Sequence, residues 1–225
     1  NINSNDLELT NNRFYHGYRA FQNAGNNAHH FTIRGNHFVD QQYGALYIYN
    51  ADYLSIEDNV ISSAPGSGFY AIDIQYCDIG LSVQRNIIRN ISADFGIRLY
   101  QCSFTSADHG IIANNFIHFN NSSASAEGII VQYSDYVDVV YNTVNIVSTQ
   151  TTNTGIYLYG DVSHNLLNNN ISVNGGKALY VLDGSDMEAS DNNNFFTTGQ
   201  DLAYWGGTTV QTFTQLQALS QMDSN

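Results

Sequence analysis

The sequence predicts an all-β chain wound as a single-stranded right-handed parallel β-helix, with about eight coils of three short strands each and a C-terminal capping segment. Three observations carry this. The pattern apolar-x-x-Asn-x-apolar recurs eight times, at steps of 24, 23, 27, 29, 27, 27 and 24 residues. A second pattern, a glycine or other small residue followed by alternating apolar positions, recurs between the asparagines. Asparagine supplies 29 of 225 residues while Lys and Glu, common on helix surfaces, are scarce, which excludes a helix bundle.

In order, the asparagine repeats are Leu9-Thr-Asn-Asn12-Arg-Phe14, Ile33-Arg-Gly-Asn36-His-Phe38, Ile56-Glu-Asp-Asn59-Val-Ile61 and Val83-Gln-Arg-Asn86-Ile-Ile88. Ile112-Ala-Asn-Asn115-Phe-Ile117, Val139-Val-Tyr-Asn142-Thr-Val144, Leu166-Leu-Asn-Asn169-Asn-Ile171 and the weaker Ser190-Asp-Asn-Asn193-Asn-Phe195 complete the series. Between them lie Gly44-Ala-Leu46-Tyr-Ile48, Ala71-Ile72-Asp-Ile74, Gly96-Ile97-Arg-Leu99, Gly128-Ile129-Ile-Val131, Gly155-Ile156-Tyr-Leu158 and Ala178-Leu179-Tyr-Val181. Period-two alternation over such short runs reads as strand. A unit of about 25 residues cannot bury its apolar face alone, so neighbours stack, each strand pairing in parallel with its equivalent one turn on. Asn12, Asn36, Asn59, Asn86, Asn115, Asn142, Asn169 and Asn193 are expected to form a structural ladder. A short amide tolerates the left-handed conformation of a tight turn, and stacked amides bond across the ~4.8 Å strand spacing.

The repeat ends near Phe196, which divides the chain into a β-helix over residues 1–196 and a capping segment over residues 197–225. Thr208 to Phe213 precedes an expected short helix, Thr214 to Met222, with Leu216, Leu219 and Met222 on one side. Asn1 to Asp6 leads into the first repeat almost at once. The expectation is an excerpt of a longer protein, with flanking domains of the same chain as partners.

On these repeats, over roughly residues 7 to 196, the chain resembles the pectate-lyase-like superfamily of right-handed β-helices, of the secreted bacterial type. The resemblance implies that the asparagine turn joins the second and third sheets and that the Gly-Ile-x-Leu strands form the first. It also implies that the outer face of the first sheet carries any active groove. Expanded turns at Ser62 to Gly68, Asn121 to Glu127 and Ser148 to Thr154, with an insertion from Gln101 to His109, surround that face.

Alternation turns two columns outward on the first sheet. One is Tyr47, Asp73, Arg98, Ile130, Tyr157, Tyr180; the other is Tyr49, Gln75, Tyr100, Gln132, Tyr159, Leu182. Six tyrosines on one polar face suit the stacking of sugar rings, although tyrosine is also common on exposed β-structure. Tyr47, Tyr49, Gln75, Tyr100, Gln132, Tyr157, Tyr159 and Tyr180 are therefore the candidate binding residues, with a polysaccharide or other glycan as partner. Asp73 and Arg98 stand on consecutive turns of one column, where an ion pair is the simplest reading. In the superfamily's lyases an Arg or Lys abstracts the proton beside a uronate carboxylate, often with Ca²⁺. By that resemblance Arg98 would be the base, Asp73, Asp78 or Asp108 would supply carboxylates and His109 the proton. A free arginine stays protonated, and a neighbouring carboxylate reinforces this. The hydrolase signatures Asn-Thr-Asp, Asp-Asp and Gly-His-Gly, and the lyases' Trp-Ile-Asp-His, are absent from the sequence; Asp108-His109-Gly110 is a partial echo.

Cys77 and Cys102 fall at the same turn position of adjacent coils, 25 residues apart, and are a disulfide candidate. The seven histidines lack a metal-ligand spacing, so no metal site and no cofactor is expected beyond Ca²⁺ for an acidic substrate. Seven scattered basic residues against 20 acidic ones, a net charge of −13, exclude nucleic acid and favour neutral glycans over polyanions. No apolar run is long enough for membrane insertion. The expected function is an extracellular or cell-surface module that binds carbohydrate or forms a rigid adhesive face through the first sheet. The alternatives are a polysaccharide lyase or glycoside hydrolase on the same face, and a rigid spacer.

Overall fold

A computed structural model describes residues 5–23, 28–63, 69–91, 94–120, 125–160 and 163–223. The turn segments 64–68 and 121–124, within two of the expanded turns, lie outside the described residues, as does the lead-in 1–4. The chain is a β-solenoid of about seven turns built from three sheets, the second and third with eight strands and the first with nine. Strands of the first sheet include Gly44–Tyr49, Tyr70–Gln75, Phe95–Tyr100, Glu127–Gln132, Thr154–Tyr159 and Lys177–Val181. Each pairs in parallel with its counterpart one coil away. Strands such as Ala51–Glu57 and Gly110–Ala113 form the second sheet, and strands such as Val60–Ser62 and Phe116–Phe119 the third.

The alternating Ile, Leu, Val and Phe positions of all three sheets point inward and form one continuous core along the axis. Each fully buried aliphatic side chain stabilises the fold by roughly 1.5–3 kcal/mol, and in-register stacking repeats that contribution coil after coil. The small residue that opens each first-sheet strand has a steric cause. A Cβ on Gly128 would stand 2.3 Å from the Gly155 carbonyl oxygen and 2.5 Å from a Val144 methyl. Gly128 thus marks a close approach of backbone and facing side chain that only glycine permits.

The asparagine ladder forms as expected, with one correction to its backbone. The backbone N–H and Nδ2 of Asn59 donate to Oδ1 of Asn86 at 3.1 and 3.0 Å, and Asn86 does the same to Asn115 at 3.0 and 3.0 Å. Nδ2 of each also reaches back to a main-chain carbonyl of the preceding coil, as Asn86 does to Ile56 at 2.9 Å. The left-handed residue is not the ladder asparagine but the one before it. Asn11, Gly35, Asp58, Arg85, Asn114, Tyr141, Asn168 and Asn192 all have φ between 55 and 67° or within a degree or two of that range. The ladder asparagine itself keeps ordinary backbone so that its amide turns inward to both neighbours.

Beyond residue 196 the parallel first sheet takes one further strand, Ala203–Trp205, which an antiparallel strand, Thr208–Val210, then covers. The terminal helix, Phe213–Ser220, starts one residue earlier than expected because Thr212 caps it and closes a capping box with Gln215. Leu216 is fully buried while Leu219 is exposed. Past the helix, buried Asp223 takes the place of a ninth ladder residue. Its carboxylate accepts from the backbone N–H and Nδ2 of Asn193 at 3.3 and 2.9 Å, and from the Ser190 hydroxyl.

Candidate functional site

The outward columns of the first sheet run in the expected register: Tyr47 opposite Asp73, Arg98 and Ile130 beyond, then Tyr157 and Tyr180. The second column places Tyr49, Gln75, Tyr100, Gln132 and Tyr159 in line. Parallel in-register pairing makes this unavoidable, since residues of one parity share a face and a coil spacing.

The tyrosines form two rows of different geometry. Tyr157, Tyr180 and Tyr204 stack face to face, with centroids 4.7 and 4.5 Å apart and planes within 28° and 13°. Both faces of Tyr180 are thereby covered, which leaves ring edges and hydroxyls to meet a ligand. Crowding desolvates the phenols here and pushes Tyr157 up to about 12. The second row is edge-to-face. Tyr76, Tyr100, Tyr133 and Tyr159 follow one another at interplanar angles of 83 or 84°, with Tyr49 tilted against Tyr76 at the start. In each such contact one ring sets its edge against its neighbour's face, and Tyr159 also lies parallel to Tyr157 with centroids 6.0 Å apart.

Tyr76 and Tyr133 were not among the expected binding residues, because they occupy the left-handed corner that follows the strand. Where the column holds Gln75 or Gln132, the next residue is a tyrosine; where it holds Tyr49, Tyr100 or Tyr159, the next is Asn50, Gln101 or Gly160. The two positions thus alternate to supply one ring per coil, a signal present in the sequence as Gln-Tyr exchanging with Tyr-Gln. Gly160 completes the arrangement. It has φ +67°, and a Cβ there would fall 2.8 Å from the Tyr133 ring.

Asp73 and Arg98 form the ion pair. Arg98 Nε donates to Asp73 Oδ1 at 3.0 Å and Nη2 to Oδ2 at 2.8 Å, a bidentate contact, and Gln75 Nε2 adds donors at 3.3 and 3.2 Å. Asp73 is only 3% exposed despite its outward position. The guanidinium lies 4.6 Å from the Phe95 ring centroid and 6.0 Å from that of Tyr70, rings that themselves stack at 4.1 Å. Arg19 lies comparably over Tyr43 and Tyr47, at 4.8 and 4.3 Å. Arg98 is thus held by carboxylate and aromatic faces together, the arrangement of a fixed cation rather than a group releasing its proton. Glu127 is within electrostatic reach of Arg98, and Asp94 within reach of Glu127. Burial, with Asp94 as a second cause, raises the pKa of Glu127, and burial raises that of Asp94.

Asp108 and His109 lie elsewhere, at the start of the second-sheet strand Gly110–Ala113. Asp108 Oδ2 accepts from the Gly80 N–H at 3.0 Å, His109 Nδ1 is 2.9 Å from Asp138 Oδ1, and Asp78 Oδ1 accepts from the Ser103 N–H at 3.0 Å. None of these contacts reaches Asp73 or Arg98, so the geometry separates the expected quartet into two pairs on different sheets.

The disulfide expectation is corrected. Cys77 and Cys102 are both buried and free, and the Cys77 N–H donates to Cys102 Sγ at 3.4 Å. Cys102 N–H in turn donates to Ser134 Oγ at 3.1 Å, a short side-chain ladder on the corner after the first sheet. In-register stacking keeps the two Cβ vectors parallel and about one strand spacing apart, wider than the ~3.5–4.5 Å that a disulfide takes. Burial raises both thiols, Cys102 to about 12, so they remain protonated at neutral pH.

Three parallel sheets, a continuous core and an internal amide ladder define a right-handed β-helix repeat protein, and residues 2–112 match the family profile described as right handed beta helix region. Residues 70–218, well over half of the chain, match the profile described as periplasmic copper-binding protein (NosD), and the chain belongs to that family. No curated protein and no solved structure matches it. The family description raises the question of copper. Among the described residues no group of three or more His, Cys, Asp or Glu side chains could hold a metal ion. The two thiols, Cys77 and Cys102, are desolvated and hold their protons, whereas a thiolate is what binds metal. Among the described residues, then, no cluster of His, Cys, Asp or Glu fits a copper centre. No helix of the described residues is long and apolar enough to cross a membrane.

Proposed function

We propose that this β-helix is a module of a protein working outside the cytoplasm, and that the outer face of its first sheet binds a neutral polysaccharide chain running along the helix axis. The observation that carries the reading is the edge-to-face row Tyr49, Tyr76, Tyr100, Tyr133 and Tyr159, one aromatic ring per coil with Gln75 and Gln132 interleaved. Rings repeating at the ~4.8 Å coil spacing, of which Tyr133 is 43% exposed, set their edges and uncovered faces against the C–H groups of successive sugars, while the carboxamides meet their hydroxyls. The chain's net charge of −13 favours a neutral glycan; an acidic one would need Ca²⁺ between the two. The family's description as periplasmic supports export.

The test is retention on a panel of neutral and acidic insoluble polysaccharides, with and without Ca²⁺, scored together with the release of reducing ends. Retention on a neutral glycan is expected, falling about tenfold in Tyr133→Ala or Tyr100→Ala and little in Tyr180→Ala, whose ring faces are already covered. Retention that ignores all three substitutions counts against the reading. Cleavage abolished by Arg98→Ala or Glu127→Gln would replace it with the enzyme alternative, which the carboxyls of Asp73 and Glu127 near one guanidinium would then serve. Neither retention nor cleavage leaves the rigid spacer.

A further inference from the structure

The third sheet differs in chemistry from the rest of this acidic molecule. Its eight strands run in the order Arg13–Tyr15, His37–Val39, Val60–Ser62, Ile87–Ile91, Phe116–Phe119, Thr143–Ile146, Asn170–Val173 and Asn194–Thr197. The described strand residues include no Asp or Glu, although the chain holds 20 acidic residues. The outward positions carry Arg13 and Arg89, several amides, hydroxyls and imidazoles, and an apolar stripe. Val60, Ile87 and Phe116 are in register on three successive coils, and Ile87 and Phe116 are 41% and 43% exposed. Ile87 and Phe116 thus lie on the fourth and fifth strands of eight, at the centre of the sheet, while Tyr15 and Phe196, 57% and 53% exposed, lie on the first and eighth.

We infer that the third-sheet face is a self-association surface whose occupant is a second copy of this chain, packed about a two-fold axis. Charge selects this face. Two molecules of net charge −13 repel wherever carboxylates oppose carboxylates, and the third sheet is where they meet without that opposition. Symmetry places the contact. A two-fold axis through the middle of an eight-strand sheet, with the solenoids antiparallel, sets the fourth strand of one copy against the fifth of the other. Ile87 then meets the other copy's Phe116 twice, in a central apolar cluster. The remaining outward residues form a mixed rim, where Arg13 and Tyr15 of each copy lie against the Asn194 and Phe196 end of the other. Flat sheet packs on flat sheet as in a sandwich. A face of strands three to five residues long is narrow, which sets the association at the weak end of specific interfaces and makes it sensitive to single substitutions. This surface is separate from the proposed glycan face on the first sheet.

Sedimentation velocity of the 225-residue chain across a concentration series tests the inference. A monomer–dimer equilibrium is expected, strengthening as salt rises because screening relieves the net repulsion. Phe116→Glu should weaken the dimer on the order of 30-fold, by placing a carboxylate and its mate on either side of the two-fold axis. Both Phe116→Glu and the control Leu219→Glu replace exposed residues, and far-ultraviolet circular dichroism should show the parent fold in each. The control, on the terminal helix, should leave the dimer intact. A chain that stays monomeric at the highest concentration in both low and high salt overturns the inference. So does a dimer that Phe116→Glu leaves unchanged or that Leu219→Glu disrupts equally.

Discussion

Tyr141 holds the left-handed position before Asn142, with φ 58°, and its side chain is 59% exposed. A bulky residue there bears a steric cost of about 1–2 kcal/mol that asparagine largely avoids, and Asn114, Asn168 and Asn192 fill the same position in other coils. Tyr141→Asn should therefore raise stability by about 1 kcal/mol, seen as a higher urea midpoint with an unchanged slope. Glu127 gives a residue-scale effect that depends on pH. Burial raises its pKa, so the folded state binds the proton more tightly than the unfolded chain does. Stability is then fullest below the ordinary glutamate pKa, about 4.3, and is lost as pH rises through the raised value. Glu127→Gln should accordingly be more stable than the parent at pH 7 and equal to it at pH 4, by denaturant midpoint. An opposite ordering at pH 7 would mean that Arg98 outweighs burial. Asp58 behaves in the reverse sense, because hydrogen bonds from Arg85 and then Arg34 lower its pKa; its stabilisation is lost as pH falls.

At the scale of the element, the asparagine ladder shows both what the repeat disclosed and where it stopped. The eight asparagines and their partners follow from spacing alone, because a parallel solenoid brings equivalent residues together. Which residue of Asn-Asn takes the left-handed conformation does not follow, since either asparagine tolerates it; the Arg-Asn86 and Tyr-Asn142 pairs show the inward amide to be the second. The outward columns were legible by parity, yet the tyrosine row was read only in part. Tyr76 and Tyr133 leave their strand at a corner, and parity assigns no face to a corner residue. The burial of Asp73 escaped for another reason, as parity fixes direction and says nothing of the rings and guanidinium that cover it. Asp223 had no signal, because it lies 30 residues past Asn193 and outside the repeat. Its removal is a sharp test of the cap. Asp223→Ala would leave the Asn193 amide donors and the Ser190 hydroxyl without their acceptor, for a loss of about 3 kcal/mol. Amide hydrogen exchange at Asn193 should quicken with it, while that at Asn86 should not.

Across the whole molecule, stability is a sum of neighbour terms, since each strand of the described residues pairs with its neighbour about one coil along the sequence. The three faces carry separate chemistries on one frame. Aromatic rings and fixed arginines line the first sheet, ion pairs such as Arg85 with Glu57 and Asp58 edge the second, and the third is free of acid along its described strands. The frame also has a direction. In the ladder each amide gives its hydrogens to the next coil and takes its neighbour's through oxygen, so the amide dipoles add along the axis as peptide dipoles do in a helix. The positive end of that column arrives at Asn193, where a carboxylate rather than an amide receives it. Detaching a coil from the C-terminal end strands two buried ladder donors, whereas detaching one from the N-terminal end strands an amide oxygen and the single Nδ2 hydrogen that reached back to the lost coil's carbonyl. Unmet N–H groups are the rarer and costlier defect in proteins, so the solenoid should unzip from the coil of Asn12 toward that of Asn193, a one-way ratchet made of side chains.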